Sequence, residues 1–129
     1  MSFLKNFYGA QQDDIHQDWK TLNSLEQLDQ IVKDSFEKPV VLFKHSIRCG
    51  ISSGAKYGLE KDWNFNSTDL DFYYLDLINF RAVSNKIAEQ FNVIHQSPQV
   101  IVLKNGKAVY HTSHHQISVS DLENALASN

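Results

Sequence analysis

Four consecutive apolar residues, Val40-Val41-Leu42-Phe43, follow Pro39 with no polar position among them. A strand with one face in water alternates apolar and polar residues, whereas a strand covered on both faces need not. The run therefore reads as the centre of a sheet that carries helices above and below it. Proline lacks an N–H and fits the first position of a strand, and the chain's other proline, Pro98, stands ahead of Val100-Ile101-Val102-Leu103 in the same way.

The flanking segments supply the partners. Trp19-Lys20-Thr21-Leu22 has the character of a short edge strand. Ser24 and Gln27 have capping-box spacing, and Leu25, Leu28, Ile31, Val32 and Phe36 then fall on one helical face, which predicts a helix ending near Lys38. After the central strand, Ile51, Ala55, Leu59 and Trp63 recur at four-residue intervals, so a helix is expected from about Cys49 to about Asp62. Gly54 and Gly58 weaken it by about 1 kcal/mol each relative to alanine and leave room for close packing. Phe72 to Leu77 reads as another buried strand, followed by a helix with Phe80, Val83, Ile87 and Phe91 on one side. Asn105-Gly106 suits a two-residue turn, which makes Val100–Leu103 and Ala108–Tyr110 an antiparallel hairpin. Ser118 then caps a last helix to Ala127 with Val119, Leu122 and Leu126 inward. This order predicts an α/β protein of the thioredoxin fold: a central mixed β-sheet of four or five strands, flanked by helices on both faces. It is expected as a single domain over residues 1–129, with 1–18 as an N-terminal extension.

Composition narrows the function. The chain is 42% apolar and 21% charged, the balance of a folded globular domain. The net charge is −3 and the twelve basic residues are scattered, so no basic stripe is available for nucleic acid. No run approaches the roughly 20 apolar residues of a membrane span, and Met1–Asp14 lacks the apolar core of a signal peptide, so a cytoplasmic protein without membrane contact is expected. The single cysteine, Cys49, has no internal disulfide partner. Lasting covalent redox chemistry must pair it with a small thiol or another protein.

Cys49 stands in the link after the first central strand, at the carboxyl edge where open α/β sheets place their sites. A thiol must ionise to act, and the helix start together with Lys44, His45 and Arg48 is expected to favour the thiolate. Gly50 leaves the sulfur uncrowded. Ser52 stands where a C-x-x-C protein has its resolving cysteine, and its hydroxyl is within the thiolate's reach in such a turn. A free cysteine is more often a small buried hydrophobe, but the polar neighbours and the loop-to-helix position argue for chemistry here. His111, His114 and His115 match no standard metal-ligand spacing and are expected to be a solvated cluster at a strand end, with no metal site.

The stretch from Phe43 to Ser52, with its K-H-S-x-x-C-x-I-S pattern, together with Ser97-Pro98-Gln99-Val100 and the Lys104–Lys107 turn, resembles the YtxJ family, the monothiol bacilliredoxins. The resemblance runs from about Trp19 to Leu126. It implies that Cys49 is the active cysteine and Pro98 a cis-proline opposite it. It further implies that the Ser97 backbone receives the substrate, that Arg48 first and Lys44 second meet the carboxylates of bacillithiol, and that Ser52 assists the thiolate. Bacillithiol would be the co-substrate, bacillithiolated proteins the clients, and no cofactor would be held. Family members usually carry proline after the cysteine, where this chain has Gly50. Cys49-Gly50-Ile51-Ser52 is also one residue from the C-G-F-S signature of monothiol glutaredoxins that carry an iron–sulfur cluster, although Tyr110–His115 lacks their glycine pair. A redox-inactive thioredoxin-like interaction module is the remaining alternative.

Overall fold

The computed structural model describes residues 15–128; the signal-peptide expectation for Met1–Asp14 falls outside them. Five strands form one sheet: β1 (Lys20–Thr21), β2 (Val40–His45), β3 (Asp71–Asp76), β4 (Gln99–Lys104) and β5 (Lys107–Ser113), in the order β1-β3-β2-β4-β5. β3 runs parallel to β1 and β2, while β4 is antiparallel to β2 and to β5. The apolar run of β2 is therefore the middle strand, and every one of its residues is buried. Continuous hydrophobicity is what a strand with a neighbour on each side and a helix layer on each face requires.

Alternation along β2 sorts the core into two halves. Val40 and Leu42 join Leu28 and Ile31 of α1 (Leu25–Asp34) and Val83, Ile87 and Phe91 of α3 (Arg81–Phe91) on one face. Val41 and Phe43 meet Ala55 and Leu59 of α2 (Gly50–Asp62) and Val119 and Leu122 of α4 (Val119–Ser128) on the other. Ile15 packs against this second half, which also holds Trp19, whose ring stacks on Phe72 with centroids 4.5 Å apart.

Several local expectations are met by specific bonds. Ser24 and Gln27 form the capping box reciprocally, and Asp121 N–H donates to Ser118 Oγ at 3.0 Å at the start of α4. Asn105 (φ 52°) and Gly106 (φ 77°) both take positive φ in the hairpin turn. Three expectations need correction. Helix α1 stops at Asp34, not near Lys38, because Ser35 Oγ donates to Val32 O at 2.6 Å and Ser35 turns the chain toward the hairpin. Phe36 thus leaves the helical face and is 59% exposed, lying beside Gly106, while Leu25, in the first turn, is also exposed. Gly54 and Gly58 are not close-packing sites, since a Cβ at either would meet nothing within 4 Å. Ile51, expected inward, is 41% exposed. A short 3-10 turn, His114–Gln116, follows β5 and has no forerunner in the hydrophobic pattern.

Candidate active site

The sheet's own pairing assembles the site. β2 ends at His45 and hands the chain to Ser46–Cys49 at one edge. Because β4 is antiparallel to β2 with Lys44 opposite Gln99, Pro98 must enter at that same edge. β5 returns there too, with Ser113 opposite Gln99, and delivers the His114–Gln116 turn. Three segments distant in sequence therefore meet beside the start of α2. The Ser97–Pro98 bond is cis, and Pro98 O accepts from His114 N–H at 3.0 Å, tying the second segment to the third.

Cys49 is the N-cap of α2 and is partly exposed. Its backbone is fixed on both sides: its N–H donates to Ser46 O at 3.2 Å and its carbonyl accepts from Ser53 N–H at 3.1 Å. The neutral thiol makes no capping hydrogen bond. The thiolate has more to gain, and the pKa is lowered chiefly by the Ser52 N–H and then the Ile51 N–H, the unpaired donors of the first helical turn. Loss of solvent acts against them, and the Ser52 hydroxyl adds the smallest favourable share. Ser52 is fully buried, and its Oγ accepts from Ser46 N–H at 3.3 Å, which leaves its O–H to donate toward the sulfur.

The basic cluster expected around the cysteine does not form as one group. Arg48 is exposed on the loop directly before Cys49, with its N–H donating to Ser46 Oγ at 3.3 Å. His45 and Lys44 are buried within β2 and point to opposite faces of the sheet. His45 meets the Tyr74 hydroxyl through Nδ1 at 2.9 Å on the α2 side. Lys44 is on the other side, where Nζ donates to Ser84 O at 3.1 Å and lies 3.2 Å from His95 Nδ1. Burial lowers its pKa to about 8. Lys44 is therefore not the second cation for an anion at Cys49, and neither it nor His45 is a cause of the lowered thiol pKa.

Lys44 instead belongs to a polar support that sequence reasoning missed. Gln99, its partner across β2 and β4, is also buried; its Nε2 donates to Ile94 O at 3.0 Å and its Oε1 accepts from Gln96 N–H at 3.4 Å. Together Lys44 and Gln99 hold residues 94–96, the approach to Ser97 and Pro98. The one available signal was a polar residue at the open end of each otherwise apolar strand. Ser97 itself is partly buried, and its Oγ is enclosed without a hydrogen-bond partner.

A groove of about 400 Å³ adjoins the cysteine, bounded by Gly50, Ile51, Gly54 and Ala55 of α2 and by His114, His115 and Ile117 across from them. His111 stays on β5 and is exposed. Among the described residues, no three His, Cys, Asp or Glu side chains gather as a metal site.

The model of the family described as monothiol bacilliredoxin BrxC matches residues 20–122. The chain belongs to this family. A solved candidate oxidoreductase with a thioredoxin fold is similar to this bacilliredoxin at 35% identity and a TM-score of 0.72, over 84% of this chain and 93% of that one. Thioredoxin from Trypanosoma brucei brucei matches at 21% identity and a TM-score of 0.68, covering 85% of this chain and 88% of its own. A redox protein from Chlamydomonas reinhardtii matches at 24% identity and a TM-score of 0.70, covering 90% of this chain and 36% of its own. The last two bear on the fold alone. Family and fold together make the bacilliredoxin a thiol oxidoreductase of the thioredoxin fold.

Proposed function

We propose that this bacilliredoxin removes bacillithiol from protein cysteines, with Cys49 as the nucleophile. The observation that carries the reading is the chain's one thiol, partly exposed at the first turn of α2, with two backbone N–H groups favouring its ionised form.

The Cys49 thiolate attacks the bacillithiol sulfur of a client's mixed disulfide. A new S–S bond forms between Cys49 and bacillithiol while the client's S–S bond breaks, and the client sulfur leaves with the electron pair and takes a proton from solvent. A second bacillithiol, as thiolate, then attacks the carried sulfur, producing bacillithiol disulfide and returning Cys49 as thiolate. Each exchange conserves disulfide bonds, so neither a second cysteine nor a bound cofactor is needed. Arg48, exposed beside Cys49, is the cation for the bacillithiol carboxylates. Pro98 brings no N–H to the sulfur, and the Ser97 main chain receives the peptide-like part of the incoming disulfide. The setting is the cytoplasm, where such mixed disulfides need reversal.

Release of client thiol from a bacillithiolated protein tests the assignment. Cys49→Ser should lower turnover by at least about a hundredfold with the circular dichroism spectrum unchanged, because a hydroxyl is a far weaker nucleophile at neutral pH. Retained activity in Cys49→Ser overturns it.

A further inference from the structure

We infer that the groove between the first two turns of α2 and the turn after β5 is the subsite for the sugar and malate portion of bacillithiol while its sulfur is bonded to Cys49. The inference rests on the proposed function and adds where the small thiol sits and what selects it.

Position comes first. Gly50 and Ile51, the residues that follow Cys49, form the near wall, so a group tethered to the sulfur begins at the groove's mouth. Its volume of about 400 Å³ suits a small molecule, the usual range for such sites being about 300–1,000 Å³.

The width has a specific origin. Gly50 and Gly54 are four residues apart and share one face of α2. A Cβ at either would meet nothing within 4 Å, so their missing side chains contribute open space and not a tight contact. This also gives Gly50 a role that its departure from the family's usual proline otherwise lacks.

The opposite wall supplies hydrogen-bond donors that act alongside the Arg48 charge, which lies outside the groove's lining. His114 and His115 line it, and imidazole N–H groups donate to carboxylate and hydroxyl oxygens. The wall is held in place: His114 adopts φ 58°, its N–H is bonded to Pro98 O at 3.0 Å, and Thr112 Oγ1 donates to Gln116 Oε1 at 3.3 Å. Among the described residues no carboxylate lines the groove, so a dicarboxylate is not repelled locally although the whole chain is acidic. Ile51, Ala55 and Ile117 give the floor an apolar surface for the ring's faces.

The test uses one client protein carrying either bacillithiol or cysteine on the same thiol, and reads the ratio of kcat/KM for the two adducts. Gly54→Leu, whose Cβ would meet nothing within 4 Å and whose side chain takes up groove space, and His115→Gln, a change at an exposed position, are compared with the unmodified chain. Each should lower the ratio by about tenfold, the size of one lost favourable interaction. An unchanged ratio in both variants, with bacillithiolated client still turned over by the unmodified chain, overturns the subsite and leaves the proposed function standing. An equal fall for both adducts also overturns it, because the groove would then be docking the client. No turnover of bacillithiolated client by the unmodified chain overturns the proposed function and the subsite with it.

Discussion

At Cys49 the stabilising groups are backbone donors, and this decides how the site responds to substitution. The Ser52 and Ile51 N–H groups come with the helix and cannot be removed by changing a side chain, whereas the Ser52 hydroxyl is the least of the three favourable contributions. Because a lowered pKa means the thiolate persists to lower pH, reactivity toward a neutral disulfide should rise with pH and reach half its plateau below the ordinary thiol value of about 8.5. Thiolate absorbance against pH checks this, and Ser52→Ala should shift the midpoint upward only slightly. A midpoint at or above the ordinary value in the unmodified chain, or a full return to it in Ser52→Ala, would contradict the geometry. The sequence made the helix start legible as an anion site but misjudged the basic residues around it. Lys44 and His45 precede the cysteine closely, yet both lie inside a strand, where alternation sends them to opposite faces. Extending the apolar run of β2 by those two residues would have shown it.

At the level of elements, the hairpin between β4 and β5 was legible because Asn-Gly names its turn. What the pattern could not show is its docking: Asn105 N–H donates to Ser35 O at 2.9 Å and Gly106 N–H to Ser35 Oγ at 2.8 Å, which joins the turn to the end of α1. The same contact ends that helix early and places Phe36 over the turn, 3.3 Å from where a Gly106 Cβ would stand. Gly106→Ala should therefore destabilise the protein by about 1–2 kcal/mol, mostly from its positive φ, since exposed Phe36 can move aside. Urea unfolding reads this as a lower midpoint at constant slope. An unchanged midpoint would mean that the turn does not hold its left-handed conformation. The His114–Gln116 turn was illegible for a related reason. It has no buried residue and no periodicity, and its place depends on a bond to Pro98, sixteen residues earlier in the chain.

Across the whole molecule, strand order explains why a chain with one cysteine builds a site from three segments. A parallel β2–β3 pair and an antiparallel β4 put the end of one strand, the start of another and the end of a third at a single edge. The alternation of strands and helices was sufficient to read a mixed sheet between helix layers and the place of Cys49 at its edge, whereas the place of Pro98 followed from the family resemblance. The groove was not readable, because Gly54, expected to permit close packing, faces open space together with Gly50, and the wall opposite them is a turn with no hydrophobic pattern. The central claim is that Cys49 takes bacillithiol from a client and carries it. Intact mass of the chain after mixing with a bacillithiolated protein tests that directly, in the absence of free bacillithiol so that the adduct persists. The account predicts one bacillithiol transferred to the chain, sensitive to reductant, mapped to Cys49 and absent in Cys49→Ser. A chain whose mass stays unchanged while the client keeps its bacillithiol would contradict it.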